Sequence, residues 1–321
     1  MELLRRTTPA PGPGEVLLEL CYAGICHTDV NMISGAYGPG SGYAPNYPVV
    51  LGHEFTARVV DVGSGVDDLS QGTRVVSGCH LTCGLCRWCA EGRSMLCVER
   101  RVIGLDADGC WAERFIAPRR NLVALPNSVS DTLAALAEPF AVGAHAVDLS
   151  GVTMGERVAI IGPGTVGLLT LGALAGHDVS VIGRRADAPQ LDHARDFGAK
   201  EVIISGDLSD DMEPFDVIFE TAGNAAAASL GAARLAPGGR LVCVGLPAQS
   251  AHIDTAQLAW QEQAIIGSRA YDISTWQTIP QRLANAPQLE AIVSHKLHFE
   301  ELNRALQLIE TREATKVLLH P

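Results

Sequence analysis

Apolar runs alternate with helix-like segments through the second half of the chain. The run VAII at Val158–Ile161 is followed by a helical pattern over residues 165–175 and by a second apolar run at 179–182. The pattern then predicts, in order, helix 188–197, strands 201–204 and 216–220, helix 225–235, a turn at 237–239 and strands 240–245 and 264–268. Because strands that alternate with helices pair in parallel and are covered on both faces, this half predicts a doubly wound parallel sheet of the α/β class.

Short strands dominate the first half. Val16, Leu18 and Leu20 recur at every second position of residues 15–21, as in a strand with one buried face. Further strands with glycine turns between them are predicted at 55–62 and 72–77, and closing strands at 110–118 and 121–125. Together these strands predict a small β-barrel.

Helical patterns lie between the two halves and near the end of the chain. Residues 131–150 form an alanine-rich helical segment that we expect to break at Glu138-Pro139. Near the end of the chain, helices are predicted around 274–283 and 300–310, and a last strand at 316–319. We expect this tail to return to the first domain.

The composition is that of a globular protein and argues against several kinds of partner. The 321 residues suffice for two domains, and 47% of them are hydrophobic. The net charge is −12 and no run of lysine and arginine stands out, which argues against nucleic acid and anionic membranes as partners. No stretch approaches about 18 apolar residues, and the first residues do not resemble a signal peptide, so we expect a cytoplasmic protein.

Cysteines cluster in one short segment. Five of the nine cysteines fall in CHLTCGLCRWCAEGRSMLC, residues 79–97. Cys83, Cys86, Cys89 and Cys97 give the spacing C-x2-C-x2-C-x7-C, which predicts a closed tetrahedral zinc site of structural type. An iron–sulfur cluster is the alternative, although the usual bacterial motif has three residues before a last cysteine followed by proline. Four other cysteines are interpreted as packing residues: Cys21, Cys79, Cys110 and Cys243.

A second set of metal-binding side chains comes from two separate motifs. Cys26 lies in GICHTD, and VVLGHE places His53 beside Glu54. Thiolate, imidazole and carboxylate are ligands of catalytic zinc, which keeps one position open for substrate or water. Because adjacent residues of a strand point to opposite faces, His53 and Glu54 reach one metal only if the backbone bends there. Glu138, a carboxylate just before a proline in an apolar helical segment, is a further candidate ligand.

A glycine motif follows the first apolar run of the second half. GPGTVG is a G-x-G-x-x-G between a predicted strand and helix, as in dinucleotide-binding turns. Gly162 allows the tight turn, Gly164 lets a phosphate approach the backbone, and Gly167 lets the helix lie close to the sheet. Thr165 and Val166 open the helix, whose first N–H groups are free to bind a pyrophosphate. By itself the motif is equally compatible with a simple loop.

The residues after the second apolar run bear on the choice of dinucleotide. NAD-binding motifs place an acid there for the ribose hydroxyls, whereas this chain has Gly183, Arg184 and Arg185. Two guanidiniums suit a 2′-phosphate, so NADP(H) is favoured. The alternative is that Asp187 takes the place of the acid in a solvated loop, and NAD(H) therefore stays possible.

Taken in this order, the motifs resemble the zinc-dependent medium-chain dehydrogenase/reductase family, and within it the sorbitol and threonine dehydrogenases. Two further segments add to the resemblance, AEPFAVGAHA at 137–146 and APGGRLVCVG at 236–245. The resemblance implies three parts: a GroES-like β-barrel catalytic domain at 1–127 with a structural zinc lobe at 79–97, a Rossmann dinucleotide-binding domain at 128–268, and a C-terminal segment at 269–321 that returns to the catalytic domain.

The resemblance also implies roles for the metal-binding side chains. Cys26, His53 and a glutamate would hold the catalytic zinc. In the polyol branch the glutamate beside the histidine, here Glu54, is the ligand, and Glu138 would lie close to the metal and its water. Two zinc ions per chain are therefore expected, one catalytic and one structural.

The resemblance also bears on three residues that follow Cys26, namely His27, Thr28 and Asn31. Thr28 matches the hydroxyl that starts the proton relay, and His27 matches a position near the cofactor phosphates. Asn31 stands where relatives often have a relay histidine, and it cannot titrate. Proton exit through water or another route is therefore expected.

The implied activity is hydride transfer between NADP(H) or NAD(H) and a secondary alcohol, a polyol or the corresponding ketone. A quinone or enone reductase without catalytic zinc, and a non-enzymatic dinucleotide-binding protein, are the alternatives. Polar residues of the loop 35–47, including Tyr37, Tyr43, Asn46 and Tyr47, are candidates to contact a polyol. We expect a homodimer or homotetramer, paired through strand 241–245 or 264–268.

Overall fold

The computed structural model describes residues 4–8, 10–36, 47–209 and 211–321. The chain forms two compact units, Met1–Glu138 with Asp272–Pro321, and Pro139–Tyr271. The predicted domain boundaries at 127/128 and 268/269 stay a prediction. Of the loop residues proposed for substrate contact, Tyr37, Tyr43 and Asn46 lie outside the described residues. Within the part of the chain that is described, no helix has the length and apolar character needed to cross a membrane.

Fifteen strands are formed by the described residues: β1 Glu15–Gly24, β2 Glu54–Val62, β3 Arg74–Ser77, β4 His80–Leu81, β5 Arg101–Val102, β6 Arg114–Pro118, β7 Leu122–Ala124, β8 Val158–Ile161, β9 Val179–Gly183, β10 Glu201–Ile204, β11 Phe215–Glu220, β12 Leu235–Cys243, β13 Ala264–Gly267, β14 Val293–His298 and β15 Lys316–His320. The α-helices of the same residues are α1 His27–Ser34, α2 Arg87–Ala90, α3 Asp131–Ala134, α4 Ala137–Ser150, α5 Thr165–Ala173, α6 Ala188–Asp196, α7 Ala225–Ala233, α8 Thr255–Trp260, α9 Ile273–Ala284 and α10 Leu302–Glu310. Short 3-10 turns complete several of the connections.

The first unit is built on a seven-stranded sheet in the order β14-β15-β1-β2-β3-β7, with β6 also paired to β1. All pairs are antiparallel except β14 and β15, which are parallel. The alternating residues Val16, Leu18 and Leu20 point into one hydrophobic core, as their spacing predicts. The last strand lies directly beside the first, with Ala23 opposite Leu319. This pairing brings the C-terminal residues next to the segment that carries Cys26.

The second unit is a six-stranded parallel sheet in the order β10-β9-β8-β11-β12-β13. The predicted doubly wound parallel sheet is confirmed. The strand order reverses between β8 and β11, and ligands of such sheets bind where the order reverses, beyond the carboxyl ends of the strands. The turn predicted at 237–239 lies inside β12, where the register against β11 shifts between Phe215 and Val217.

Some elements differ from those predicted. The helical segment 131–150 breaks before Ala137, so Glu138 and Pro139 lie in the first turn of α4. Proline is tolerated there because the N–H that it lacks would have no partner within the helix. Strand β14 was not predicted, because its sequence VSHKLH is mostly polar and partly exposed. It forms by pairing with the buried β15, an interaction that no local pattern reveals.

Candidate functional site

Cys26 is fixed by the start of a helix. It is the N-cap residue of α1, and Asp29 at the third helical position accepts a hydrogen bond from the Cys26 backbone N–H at 2.9 Å. Asp29 is fully buried, and its other carboxylate oxygen accepts from the Gly52 N–H at 3.3 Å. One carboxylate thus ties the segment of Cys26 to the segment that precedes His53.

The structure brings Cys26, His53 and Glu54 together. One potential ligand atom from each lies within 4.8 Å of the others, and both His53 and Glu54 are buried. Strand β2 begins only at Glu54, and Gly52 has a φ of 90°, so the backbone turns immediately before the pair. The bend required for both side chains to reach one point is therefore present.

Asp29 also contacts His53. The His53 Nδ1 lies 3.5 Å from the Asp29 Oδ1. Burial acts to lower the pKa of His53, but the neighbouring Asp29 carboxylate raises it well above its usual value. A carboxylate behind a metal-binding histidine fixes the orientation of its ring. Asp29 is part of the GICHTD motif, but nothing in the sequence alone indicates this contact.

Lys316 is a second residue that sequence reasoning missed. Its Nζ forms an ion pair with the Glu54 Oε2 and donates a hydrogen bond to the Ile25 carbonyl at 3.0 Å. Lys316 is 4% exposed and Glu54 1%. Burial acts to lower the pKa of Lys316, but the Glu54 carboxylate raises it above its usual value. The only local signal was a charged residue opening the apolar run KVLL, and its partner lies at the far end of the sequence.

Glu138 does not belong to the group of mutually close ligand atoms that the described residues form. It is buried in the first turn of α4, and its Oε1 accepts a hydrogen bond from the Cys79 Sγ at 3.2 Å. Burial raises the pKa of Glu138. Cys79, interpreted from sequence as a packing residue, is thus also a hydrogen-bond donor. On α1, Thr28 is partly buried and His27 is exposed.

The four cysteines of the predicted structural site form a second cluster. The Sγ–Sγ distances are 3.5 Å for Cys83 and Cys97, 3.6 Å for Cys86 and Cys89, and 4.0 Å for Cys83 and Cys89. Four sulfurs at the usual Zn–S distance in a tetrahedron are about 3.8 Å apart. The Cys89 backbone N–H lowers the pKa of Cys86 to about 6, which favours the thiolate that zinc binds. The spacing of the thiols therefore fits a zinc ion.

The glycine turn has the geometry that its sequence requires. Gly162 has a φ of 108°, and a Cβ there would lie 2.7 Å from the Ala222 backbone nitrogen. A Cβ on Gly167 would lie 2.0 Å from the Gly162 carbonyl oxygen. Gly164 is the N-cap of α5, and a Cβ there would meet nothing within 4 Å. The turn has no room for side chains on the side of the sheet, but space is free at the N-terminus of the helix that Thr165 and Val166 begin. The turn therefore fits a phosphate group.

Both arginines after β9 have carboxylate partners. Arg184 donates to Asp187 through its backbone N–H at 2.9 Å and through its guanidinium at 2.8 Å. Arg185 lies 3.3 Å from Asp207. The side chains of Arg184 and Arg185 are 58% and 80% exposed. Asp187 therefore binds Arg184, and the guanidiniums stay accessible to a ligand.

Two family models cover nearly the whole chain. The alcohol dehydrogenase GroES-like domain matches residues 12–127, and the glucose dehydrogenase C-terminus matches residues 131–319. The chain belongs to the zinc-dependent medium-chain dehydrogenase/reductase family. The resemblance stated from the motifs and the predicted GroES-like and Rossmann fold class are thereby confirmed.

Relatives of this dehydrogenase cover almost its full length. A sorbitol dehydrogenase of Halalkalibacterium halodurans is 32% identical over 98% of this chain and 93% of its own. An L-threonine 3-dehydrogenase of Xanthomonas campestris pv. campestris is 31% identical over 97% and 93%. The crystal structure of a zinc-binding dehydrogenase from Sinorhizobium meliloti 1021 bound to NADP is 29% identical, covers 98% and 94%, and has a TM-score of 0.89. The predicted class, an NAD(P)-dependent oxidoreductase acting on CH–OH groups, is confirmed.

Proposed function

We propose that this dehydrogenase interconverts a secondary alcohol or polyol and its ketone with NADP(H), at a catalytic zinc held by Cys26, His53 and Glu54. The observation that carries the proposal is the convergence of these three side chains, of which His53 and Glu54 are buried and Cys26 is partly buried. A thiolate, an imidazole and a carboxylate leave one position of a tetrahedral zinc open to substrate. The two alternative functions do not require these three ligands to meet, because neither a reductase without catalytic zinc nor a dinucleotide-binding scaffold binds a metal there.

The chain's own residues prepare this site. Asp29 holds the imidazole of His53, and Lys316 balances the charge of the buried Glu54. When bound, zinc supplies a Lewis acid for the substrate oxygen, and NADP(H) supplies or accepts the hydride. Thr28, two residues after Cys26 on the partly buried side of α1, is proposed to accept the hydroxyl proton of the alcohol into a relay. Glu138 is proposed to act beside the metal rather than as a resting ligand, because its carboxylate is bonded to Cys79.

A second zinc is proposed at Cys83, Cys86, Cys89 and Cys97. Its ligand set is complete, so it leaves no position for substrate and has a structural role. The lobe that holds it is short of regular structure, with only the four-residue helix α2 and a 3-10 turn between its first and last cysteine. Metal binding therefore contributes to its folding.

The proposed cofactor site combines the glycine turn with the two arginines after β9. The turn presents the N-terminus of α5 to a pyrophosphate. The match of His27 to a family position near the cofactor phosphates stays a prediction. NADP(H) is proposed over NAD(H) because the guanidiniums of Arg184 and Arg185 are exposed and lie where the sequence motif places the 2′ position of the ribose.

Metal content tests the proposal before a substrate is known. Elemental analysis of protein purified without chelator is expected to find two zinc ions per chain, and Cys26→Ser is expected to lose one of them. Cys243→Ser, which removes a thiol outside both clusters, is the matched control and should retain both. A single zinc that survives Cys26→Ser would show that only the four-cysteine lobe binds metal, and zinc-assisted hydride transfer would be abandoned.

A further inference from the structure

Glu220 is a buried carboxylate that the proposed mechanism does not use. It is the last residue of β11, in the middle of the parallel sheet, and only 1% of its surface is exposed. Burying a carboxylate is costly unless hydrogen bonds compensate for the lost water. The contacts of this side chain therefore indicate what it does.

The Glu220 carboxylate binds the backbone of the loop that follows it. Its Oε1 accepts from the Gly223 N–H at 2.7 Å. Burial raises the pKa of Glu220, while backbone N–H groups of Gly223, Ala222, Asn224 and Gly245 oppose that rise by favouring the ionised form. The carboxylate thus binds the backbone of the loop after β11 directly.

The backbone of Glu220 makes the same connection. Its carbonyl oxygen accepts from the Val244 N–H at 2.9 Å and from the Gly245 N–H at 3.1 Å. Gly245 lies so close that a Cβ there would be 2.3 Å from the Gly223 nitrogen and 2.7 Å from the Glu220 Oε2. The two loops therefore meet at Glu220 with no room for a side chain between them.

The neighbouring residue joins this pair of loops to the glycine turn. The Thr221 N–H donates to the Ile161 carbonyl at 2.9 Å, and its hydroxyl donates to the Gly162 carbonyl at 2.8 Å. The ends of β8, β11 and β12 are thus linked in one hydrogen-bonded layer, on both sides of the point where the strand order reverses.

The strand order predicts which side of the sheet binds each half of a dinucleotide, counted from the reversal between β8 and β11. Strands β8 to β10 carry the glycine turn and the arginines of the proposed 2′-phosphate site, so they take the adenosine half. By the two-fold construction of such sheets, β11 to β13 take the nicotinamide half. We propose that Glu220 is a positioning residue that holds the loops after β11 and β12 in the shape that receives the nicotinamide half. The inference rests on the proposed dehydrogenase function.

Binding of whole and half cofactors tests this role. Dissociation constants are measured by titration of the purified protein with NADPH, with NADH and with 5′-ADP, which carries the adenosine half alone. Glu220→Ala leaves the Gly223 N–H without its partner, so binding of the preferred dinucleotide is expected to weaken about tenfold. Binding of 5′-ADP should change less than about twofold, because its site lies on β8 to β10.

Two further variants separate positioning from general loosening. Glu220→Gln keeps an oxygen that accepts from Gly223 and should restore most of the dinucleotide affinity. Glu220→Asp shortens the side chain by one methylene and replaces Glu220→Ala if the alanine variant fails to fold. It should likewise weaken binding of the dinucleotide and leave binding of 5′-ADP nearly unchanged. Glu201→Ala, an exposed acid on β10 of the same sheet, is the control and should leave all three affinities unchanged.

The outcomes are distinct. Equal losses for dinucleotide and 5′-ADP, or no loss for either, would overturn the role of Glu220. Wild-type protein that binds neither dinucleotide would instead overturn the proposed function, and this inference with it.

Discussion

At the scale of single residues, the buried ion pair of Lys316 and Glu54 is an interaction that the sequence did not reveal. Both side chains are almost completely buried. Removing one partner of a buried ion pair leaves the other as an uncompensated charge in the interior. Because Glu54 is also a proposed zinc ligand, a bound zinc ion would be a second cation, besides Lys316, to compensate its charge.

Lys316→Met is therefore expected to destabilise the zinc-depleted protein by about 3–5 kcal/mol. With zinc bound the loss should be smaller, because Glu54 then has another cation. Urea unfolding with and without a chelator measures both values. Lys200→Met, which removes a lysine that pairs with Asp178 at the surface, should cost under about 1 kcal/mol in either state. Equal small losses in the two variants would contradict the role of Lys316.

The same residues show what a sequence reveals of a site. Cys26, His53 and Glu54 stood out because their side chains have few common roles besides metal binding when they occur in such motifs. Asp29 and Lys316 did not, because an aspartate in a first helical turn and a lysine at a strand end are ordinary. Their roles arise from β15 lying beside β1 and from the turn at Gly52, which are long-range features.

At the scale of elements, the segment from β9 into α6 carries the two arginines of the proposed 2′-phosphate site. Arg184 and Arg185 are exposed and paired with single carboxylates. Surface ion pairs of this kind are weak, so a doubly charged 2′-phosphate competes well for the guanidiniums. In this interpretation, the hydrogen bonds between Arg184 and Asp187 hold the guanidinium in place for the 2′-phosphate. Asp187 then does not bind the ribose in place of the arginine.

The double variant Arg184→Ala, Arg185→Ala is expected to weaken NADPH binding about tenfold or more, and NADH binding less than about twofold. Titration with each dinucleotide measures both effects. Arg195→Ala removes an exposed arginine paired with Asp192 on α6 and serves as the control. If the variant weakened NADH as much as NADPH, the arginines would have no part in recognising the 2′-phosphate.

Elements were predicted well where their pattern is local. Strands β8 and β10 have the predicted bounds, because VAII and EVII are short runs rich in β-branched residues and bounded by turns. The helix break before Ala137 and the turn absorbed into β12 were placed wrongly. In both cases the local sequence predicts a break, at Pro139 and at Gly238-Gly239. In the structure, the proline fits into the first turn of α4 and the glycine pair lies within the paired strand β12.

At the scale of the whole molecule, the edge of the parallel sheet bears on assembly. Of the two strands predicted to pair across a two-fold axis, β12 is paired on both sides, so it has no free edge. Strand β13 is the last in the order and is mostly exposed, with Ile265 at 38%. Trp260, just before it, is 88% exposed. An apolar sheet edge of this kind is prone to pair with another chain.

We therefore propose that β13 pairs with its copy in a homodimer, alone or within a homotetramer. A two-fold axis across this edge would bring the two copies of Ile265 close together, so Ile265→Lys would place like charges opposite each other. Light scattering after size exclusion should then show a fall in mass to that of one chain for a dimer, or to half for a tetramer. Ile273→Lys, at an equally exposed isoleucine in the first turn of α9, is the matched control and should leave the mass unchanged. A wild-type protein that runs as a monomer, or an Ile265→Lys protein with undiminished mass, would show that this edge stays unpaired.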